Sequence, residues 1–140
     1  LPVSGKVFIS VKDKDKPAIL PTAKRLAELG FTLIATAGTA AYLEQHGLAV
    51  ERIFKVKEGR PHVVDTLKNR EIHLVINTVG DKVSQIDSFA IRQTVLYYGI
   101  PYFTTIAGAK AAVRGIEALR KGGVTVKTLQ EYHAEMGGKK

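Results

Sequence analysis

Cysteine is absent from the 140 residues, so neither a disulfide framework nor thiolate chemistry is available. That absence fits a reducing compartment. Tryptophan is also missing and aromatic residues make up only 7% of the chain, which leaves little for a base-stacking surface on single-stranded nucleic acid. No common nucleic-acid-binding motif is present, and nucleic acid is not an expected partner. No apolar run approaches the roughly 18 residues of a membrane span. The opening LPVSGK lacks the apolar core of a signal peptide. A soluble, cytoplasmic setting is therefore the expectation.

Catalytic fingerprints are equally scarce. There is no GxGxxG, no GxxxxGK[ST] and no HExxH, so the usual marks of dinucleotide, P-loop and zinc-protease sites are missing. His46, His62, His73 and His133 show no metal-ligand spacing. His62 and Asp65 lie about one helical turn apart, as an acid–base pair or a local hydrogen bond would. Asp81 and Asp87 are the best acidic candidates, and Asp87 also suits a helix start.

What the chain does have is a 45% hydrophobic content and a formal charge of +8. A chain of this size forms one domain and buries roughly two thirds of its unfolded surface. The positive field favours phosphates, nucleic acid or acidic surfaces. Lys6, Lys12, Lys14 and Lys16 form one basic cluster, while Lys139 and Lys140 look like tail charge.

Strands and helices alternate along the pattern. Strands are expected at Val7–Val11, Thr32–Ala35, Val50–Val56, Leu74–Thr78 and Tyr102–Thr105. Helices are expected at Ala18–Leu29, from Thr39 to near His46, from Pro61 through Lys68, at Ile86–Tyr98 and at Ala107–Lys121. Pro17 and Pro21 both suit a first helical turn, and Gly30 and Gly99 suit helix stops. After Gly122–Gly123 the VKTLQEYHAEM stretch reads as an edge piece. Several strands lack a polar face, which argues for a parallel sheet covered on both sides. The expected fold is α/β: one three-layer domain, 1–140 with its core about 5–136, and a five-stranded parallel sheet with helices on both faces.

Ligands of open parallel sheets collect beyond the C-terminal strand ends. Those ends carry Ser10, Lys12 and Lys16; Thr36, Gly38 and Thr39; Lys55 and Lys57; Asn77 and Thr78; and Thr104 and Thr105. The set is rich in donors and cations, which suits a phosphate monoester at a helix start. The Thr36–Ala40 turn, TAGTA, reads as an anion cup or, taken alone, more simply as a plain strand-to-helix connection capped by Thr39. Asn77 follows an apolar strand directly and needs partners if buried.

The segments VKDKDK, TAGTAAYL, KVKEGRPHVVDTLKN, LVINT and SFAIRQTVLYYGIPYFTT together resemble the methylglyoxal-synthase-like domain family. Within it they are most similar to the C-terminal allosteric domain of the carbamoyl phosphate synthase large chain. The resemblance runs from about Gly5 to Met136, and Glu58–His62, EGRPH, is its most specific part. It implies a regulatory domain that binds UMP or IMP and has no chemistry of its own. The parent would be an ATP-dependent, glutamine-hydrolysing ligase of pyrimidine and arginine biosynthesis, using Mg2+ or Mn2+ and paired with a glutamine amidotransferase small subunit. Carried over on matching positions, Lys16, Thr36, Gly38 and Thr39 are expected around phosphate; Thr78 joins this nucleotide-binding set from its place after the fourth strand. Lys55 and Asn77 are expected near ribose and base, with Val56 and Val63 as apolar neighbours of the base. Val79 stands where some members carry threonine. Tyr102 and Thr104 match this domain's side of an ornithine pocket completed by the rest of the parent. No metal or cofactor is implied within the domain. The rival reading is a standalone methylglyoxal-synthase-type phosphate lyase, for which Asp81 is present but its surroundings match poorly.

Overall fold

The computed structural model describes residues 1–53, 62–80 and 82–135, with side chains for all of these except 82–87 and 122–135. Five strands form one sheet: β1 (Lys6–Ser10), β2 (Thr32–Ala35), β3 (Val50–Arg52), β4 (Leu74–Asn77) and β5 (Tyr102–Phe103). Their order is β3-β2-β1-β4-β5, and every pairing is parallel. Among the described residues five α-helices connect and follow them: α1 (Lys16–Glu28), α2 (Ala37–Gln45), α3 (Val63–Lys68), α4 (Lys82–Tyr98) and α5 (Ile106–Glu135), with a short 3-10 turn at Asp13–Asp15 ahead of α1.

The strands show why helices must cover both faces. Side chains alternate along a strand, and here both sets are apolar. Val7, Ile9, Leu33, Leu74 and Ile76 join Ile19 and Leu26 of α1, Leu43 of α2 and Val113 and Ile116 of α5 in one buried cluster. Phe8, Ile34 and Val75 point the other way, onto Val63 and Leu67 of α3 and Ile91 and Val95 of α4. Fully burying each such side chain contributes about 1.5–3 kcal/mol, so no face can be left wet.

Several boundaries depart from the sequence reading. Strand β3 ends at Arg52 and β5 at Phe103, each shorter than expected. Pro21 lies in the second turn of α1 rather than the first, where it removes an N–H that would reach the Pro17 carbonyl. Pro17 does occupy the first turn. Helix α2 begins at Ala37 with Thr36 as its N-cap, so Thr39 is not the cap. Thr105, expected to finish β5, instead accepts the Gly108 N–H at 2.9 Å and caps α5. That helix runs through Gly122–Gly123 to Glu135, where an edge piece was expected. Pro61 and the expected strand residues after Ile53 fall outside the described residues.

At the N-terminal rim, helices α1 to α4 end alike. Gly30, Gly47, Arg70 and Gly99 each take a positive φ after the helix. Each N–H, with the one after it, returns to carbonyls of the last turn; for Arg70 and Glu71 these are Leu67 and Thr66, at 3.0 and 3.1 Å. This pair of bonds satisfies two carbonyls that the helix itself leaves open. Three of the four positions hold glycine, and the fourth holds an arginine.

Candidate functional site

β1 lies between β2 and β4, and the chain reverses direction across the sheet at that point. The loops after β1 and β4 therefore part, which opens a crevice at their C-terminal ends. A cavity of about 290 Å3 occupies it. Its floor is apolar, from Phe8, Val11, Val63 and Ile91, and its rim is polar.

The polar rim is built by cross-bracing between loops. Ser10 at the end of β1 meets Thr36 at the end of β2, hydroxyl to hydroxyl at 3.2 Å. The Thr39 hydroxyl accepts the Val11 N–H at 3.2 Å and is itself only 2% exposed. The Lys12 N–H donates to the Thr78 hydroxyl at 3.0 Å, and the Thr78 N–H donates to the Ser10 carbonyl at 3.0 Å. Three loops far apart in sequence are thereby tied into one surface.

Helix α2 points its N-terminus into this surface. Thr36 caps it in extended conformation, without a side-chain cap bond. Ala40 is the first residue whose N–H reaches an intrahelical carbonyl, that of Thr36 at 2.8 Å. The N–H groups of Ala37, Gly38 and Thr39 have no acceptor within the helix. Lys16, at the start of α1, brings its ammonium over the same place: a Cβ at position 38 would lie 3.5 Å from Lys16 Nζ. The Lys16 side chain is 16% exposed and pairs with the carboxylate of Asp13. A cation, a helix start and a residue without a side chain thus converge, and an anion fits there electrostatically.

Asn77 ends β4 and is 3% exposed. Its amide nitrogen donates to Ser88 Oγ of α4 at 2.9 Å and to Tyr102 Oη of β5 at 3.3 Å. The partners that a buried amide demands are therefore present.

Of the residues singled out from sequence, Lys16, Thr36, Gly38, Thr39, Val63, Asn77 and Thr78 line the one cavity. Tyr102 stands behind Asn77, and Thr104 is exposed and outside the cavity lining. Lys55, Val56, Asp81 and most of EGRPH, including Glu58, fall outside the described residues. Ser88 and Ile91 were not named as site residues, although both lie in the SFAIRQT segment that carries the resemblance; the packing of α4 against β4 brings them to the cleft. His62 and Asp65 resolve as a helix cap: the Asp65 carboxylate accepts the His62 N–H at 3.2 Å, and His62 Nδ1 accepts the Asp65 N–H at 3.4 Å. Among the described residues no cluster of three His, Cys, Asp or Glu could hold a metal, and no helix is long and apolar enough to cross a membrane.

Two surface ion-pair groups away from the cleft shift the titration of their members. Arg52 hydrogen-bonds Glu44 and holds that carboxyl below its usual range, while Glu44 raises Arg52 in return. Glu117 and Glu28 likewise raise Arg25.

Comparison with known proteins agrees with this architecture. The sequence pattern of the MGS-like domain matches residues 18–104. The carbamoyl phosphate synthase large chain of Xanthomonas campestris pv. campestris is 50% identical over 135 residues, covering 96% of this chain and 12% of that protein. A second relative is the C-terminal section of the same large chain from Methanopyrus kandleri. It is 48% identical over 134 residues, covering 95% of this chain and 25% of that one. The chain thus closely matches the C-terminal region of such large chains and spans a small part of their length. Among solved structures, the methylglyoxal synthase of Elizabethkingia anophelis superposes with a TM-score of 0.65 at 21% identity. It covers 81% of this chain and 79% of its own, a likeness of fold alone.

Proposed function

The chain belongs to the MGS-like domain family, and from that premise we propose that it is the nucleotide-sensing regulatory domain of a carbamoyl phosphate synthase large chain. The observation that carries this reading is the convergence of Lys16 Nζ on Gly38 at the open start of α2. A phosphate monoester fits that place: the free N–H groups and the ammonium supply charge-assisted bonds, while Thr36 and Thr78 hold the rim. Asn77 then serves the ribose or base, with Val63 beside the ring. Lys55 and Val56 belong to the same proposed set, by resemblance. UMP and IMP are the expected ligands.

Regulation follows if the nucleotide favours one state of the parent over another. The parent reaction, an ATP-dependent ligation supported by Mg2+ or Mn2+ and a glutamine-hydrolysing small subunit, belongs to the proposal. So do its cytoplasmic setting and its place in pyrimidine and arginine synthesis. Tyr102 and Thr104 are proposed for an ornithine pocket that needs the rest of the large chain. The domain is proposed to be non-catalytic by itself.

The test is calorimetric titration of the chain with UMP, IMP and dihydroxyacetone phosphate, alongside Lys16→Ala. Saturable nucleotide binding is expected, weakened by about tenfold or more in the variant, since a bond to a charged group contributes about 1.5–3 kcal/mol. Heat with the triose phosphate, with methylglyoxal as its product and no nucleotide binding, would replace this reading by the lyase.

A further inference from the structure

Helix α4 faces two ways. On one side Ser88 and Ile91 line the cleft, and Ile91 and Val95 pack into the core beneath it. On the other side Phe89 is 54% exposed, Leu96 75% and Tyr97 83%. Arg92 and Gln93 are exposed between them. Positions 89, 92, 93, 96 and 97 share one face at 3.6 residues per turn, so these groups form one stripe, apolar at both ends with Arg92 and Gln93 at its middle.

We infer that this face of α4 is the surface on which the remainder of the large chain packs, and that α4 carries the state of the cleft to that contact. The inference rests on the reading of this chain as one domain of a longer protein. Size favours that occupant. At the 150–250 Å2 typical of a large apolar side chain, the three exposed groups offer roughly 320–530 Å2. A stable dimer with a second copy needs about 800 Å2 from each partner. Contacts between domains of one chain bury only about 600–1,500 Å2 in total, shared by both sides. Tethering supplies the effective concentration that so small a patch lacks. The chain spans 12% of its Xanthomonas relative, so in such a protein there is ample polypeptide to cover the stripe. The chemistry of the covering surface follows from the stripe: apolar groups for Phe89, Leu96 and the Tyr97 ring, with a carboxylate for Arg92 and hydrogen-bonding groups for Gln93 and the Tyr97 hydroxyl between and beside them.

The link to the cleft is the 2.9 Å bond from Asn77 to Ser88. A ligand that engages Asn77 acts on Ser88, and α4 responds as one body because its hydrogen-bonded backbone is stiff. Phe89, Leu96 and Tyr97 move with it.

Hydroxyl-radical footprinting tests the contact. Phe89 and Tyr97 are compared in the 140-residue chain alone and in the full-length large chain. Oxidation several-fold slower in the full-length protein is expected, and equal rates overturn the contact. The full-length double variant Leu96→Asp, Tyr97→Ser tests the coupling. UMP affinity should stay within about twofold, because the positions lie outside the cleft. The effect of UMP on ATP turnover should fall by about fivefold or more. An unchanged response overturns the coupling. If the wild-type protein binds no UMP, the proposed nucleotide role fails, yet the footprint still decides the contact.

Discussion

At the N-terminal rim of the sheet, α1 to α4 each close on themselves through backbone bonds, and side chains have little to do there. At the C-terminal rim α2 begins with open N–H groups, while side chains cap α3 and α5, and the loops are held by Ser10, Thr36, Thr39, Asn77 and Thr78 side chains. One rim is finished by the chain itself; the other is braced but left with donors to spare. Buried hydroxyls and amides cost stability unless bonded. Their concentration at one rim coincides with the cavity proposed for the nucleotide, and the opposite rim is closed mainly by backbone bonds.

The contrast is open to mutation, beginning where the largest effect is expected. Gly5 sits at the N-terminal rim with φ +122, and a Cβ there would lie 2.4 Å from His73 Nδ1. That ring nitrogen accepts the Lys6 N–H at 3.1 Å, so it cannot simply swing away. Gly5→Ala should cost about 2–4 kcal/mol in urea unfolding, from strain plus overpacking. Nucleotide affinity, measured under conditions where the variant stays folded, should not change. Lys16→Ala should do the reverse. Affinity falls by about 1.5–3 kcal/mol, while unfolding changes by less than about 1 kcal/mol, because only one ion pair with an exposed carboxylate is lost. Comparable losses of both properties in either variant would erase the distinction between the rims.

Thr39→Val sharpens it. The hydroxyl is buried and serves the Val11 backbone, not its own helix. Valine keeps the shape and strands the Val11 N–H, so stability should drop by about 1–2 kcal/mol. Affinity should fall as well, since the β1 loop loses its tie to α2. A variant with intact stability would show that the brace is dispensable.

Thr39 also shows where sequence reading stops. The turn TAGTA correctly announced a strand-to-helix junction, because Gly30 and Thr36 bracket the apolar β2, Thr32–Ala35. It did not reveal that Thr39 bonds across 28 residues to β1, a tertiary fact with no local trace. The alternation of buried strands and helices carried the three-layer fold, since both faces of β1 are apolar. Element ends were less legible. Pro21 is tolerated in the second turn of α1, where its missing N–H argued for the first turn, and Gly122–Gly123 did not stop α5. Most cavity residues were foreseen from their places after strands, whereas Ser88 reached the cleft only through the packing of α4.

The smallest predicted effect has the opposite sign. Arg70 takes φ 59 at the position where α1, α2 and α4 use glycine. A side chain in that left-handed conformation costs about 1 kcal/mol, which glycine avoids. Against this, the Arg70 guanidinium lies 5.8 Å from the Tyr98 ring centroid, an exposed cation–π contact of about 0.5 kcal/mol. Arg70→Gly should therefore stabilise the chain by about 0.5 kcal/mol, and urea unfolding should resolve it as a small upward shift of the midpoint. Nucleotide affinity should not move, because Arg70 and the cleft lie at opposite ends of the sheet. Destabilisation instead would mean that the Tyr98 contact outweighs the backbone strain. The end of α3 would then depend on a side chain, as Lys6 already does on His73, and the contrast between the two rims would narrow to one of degree.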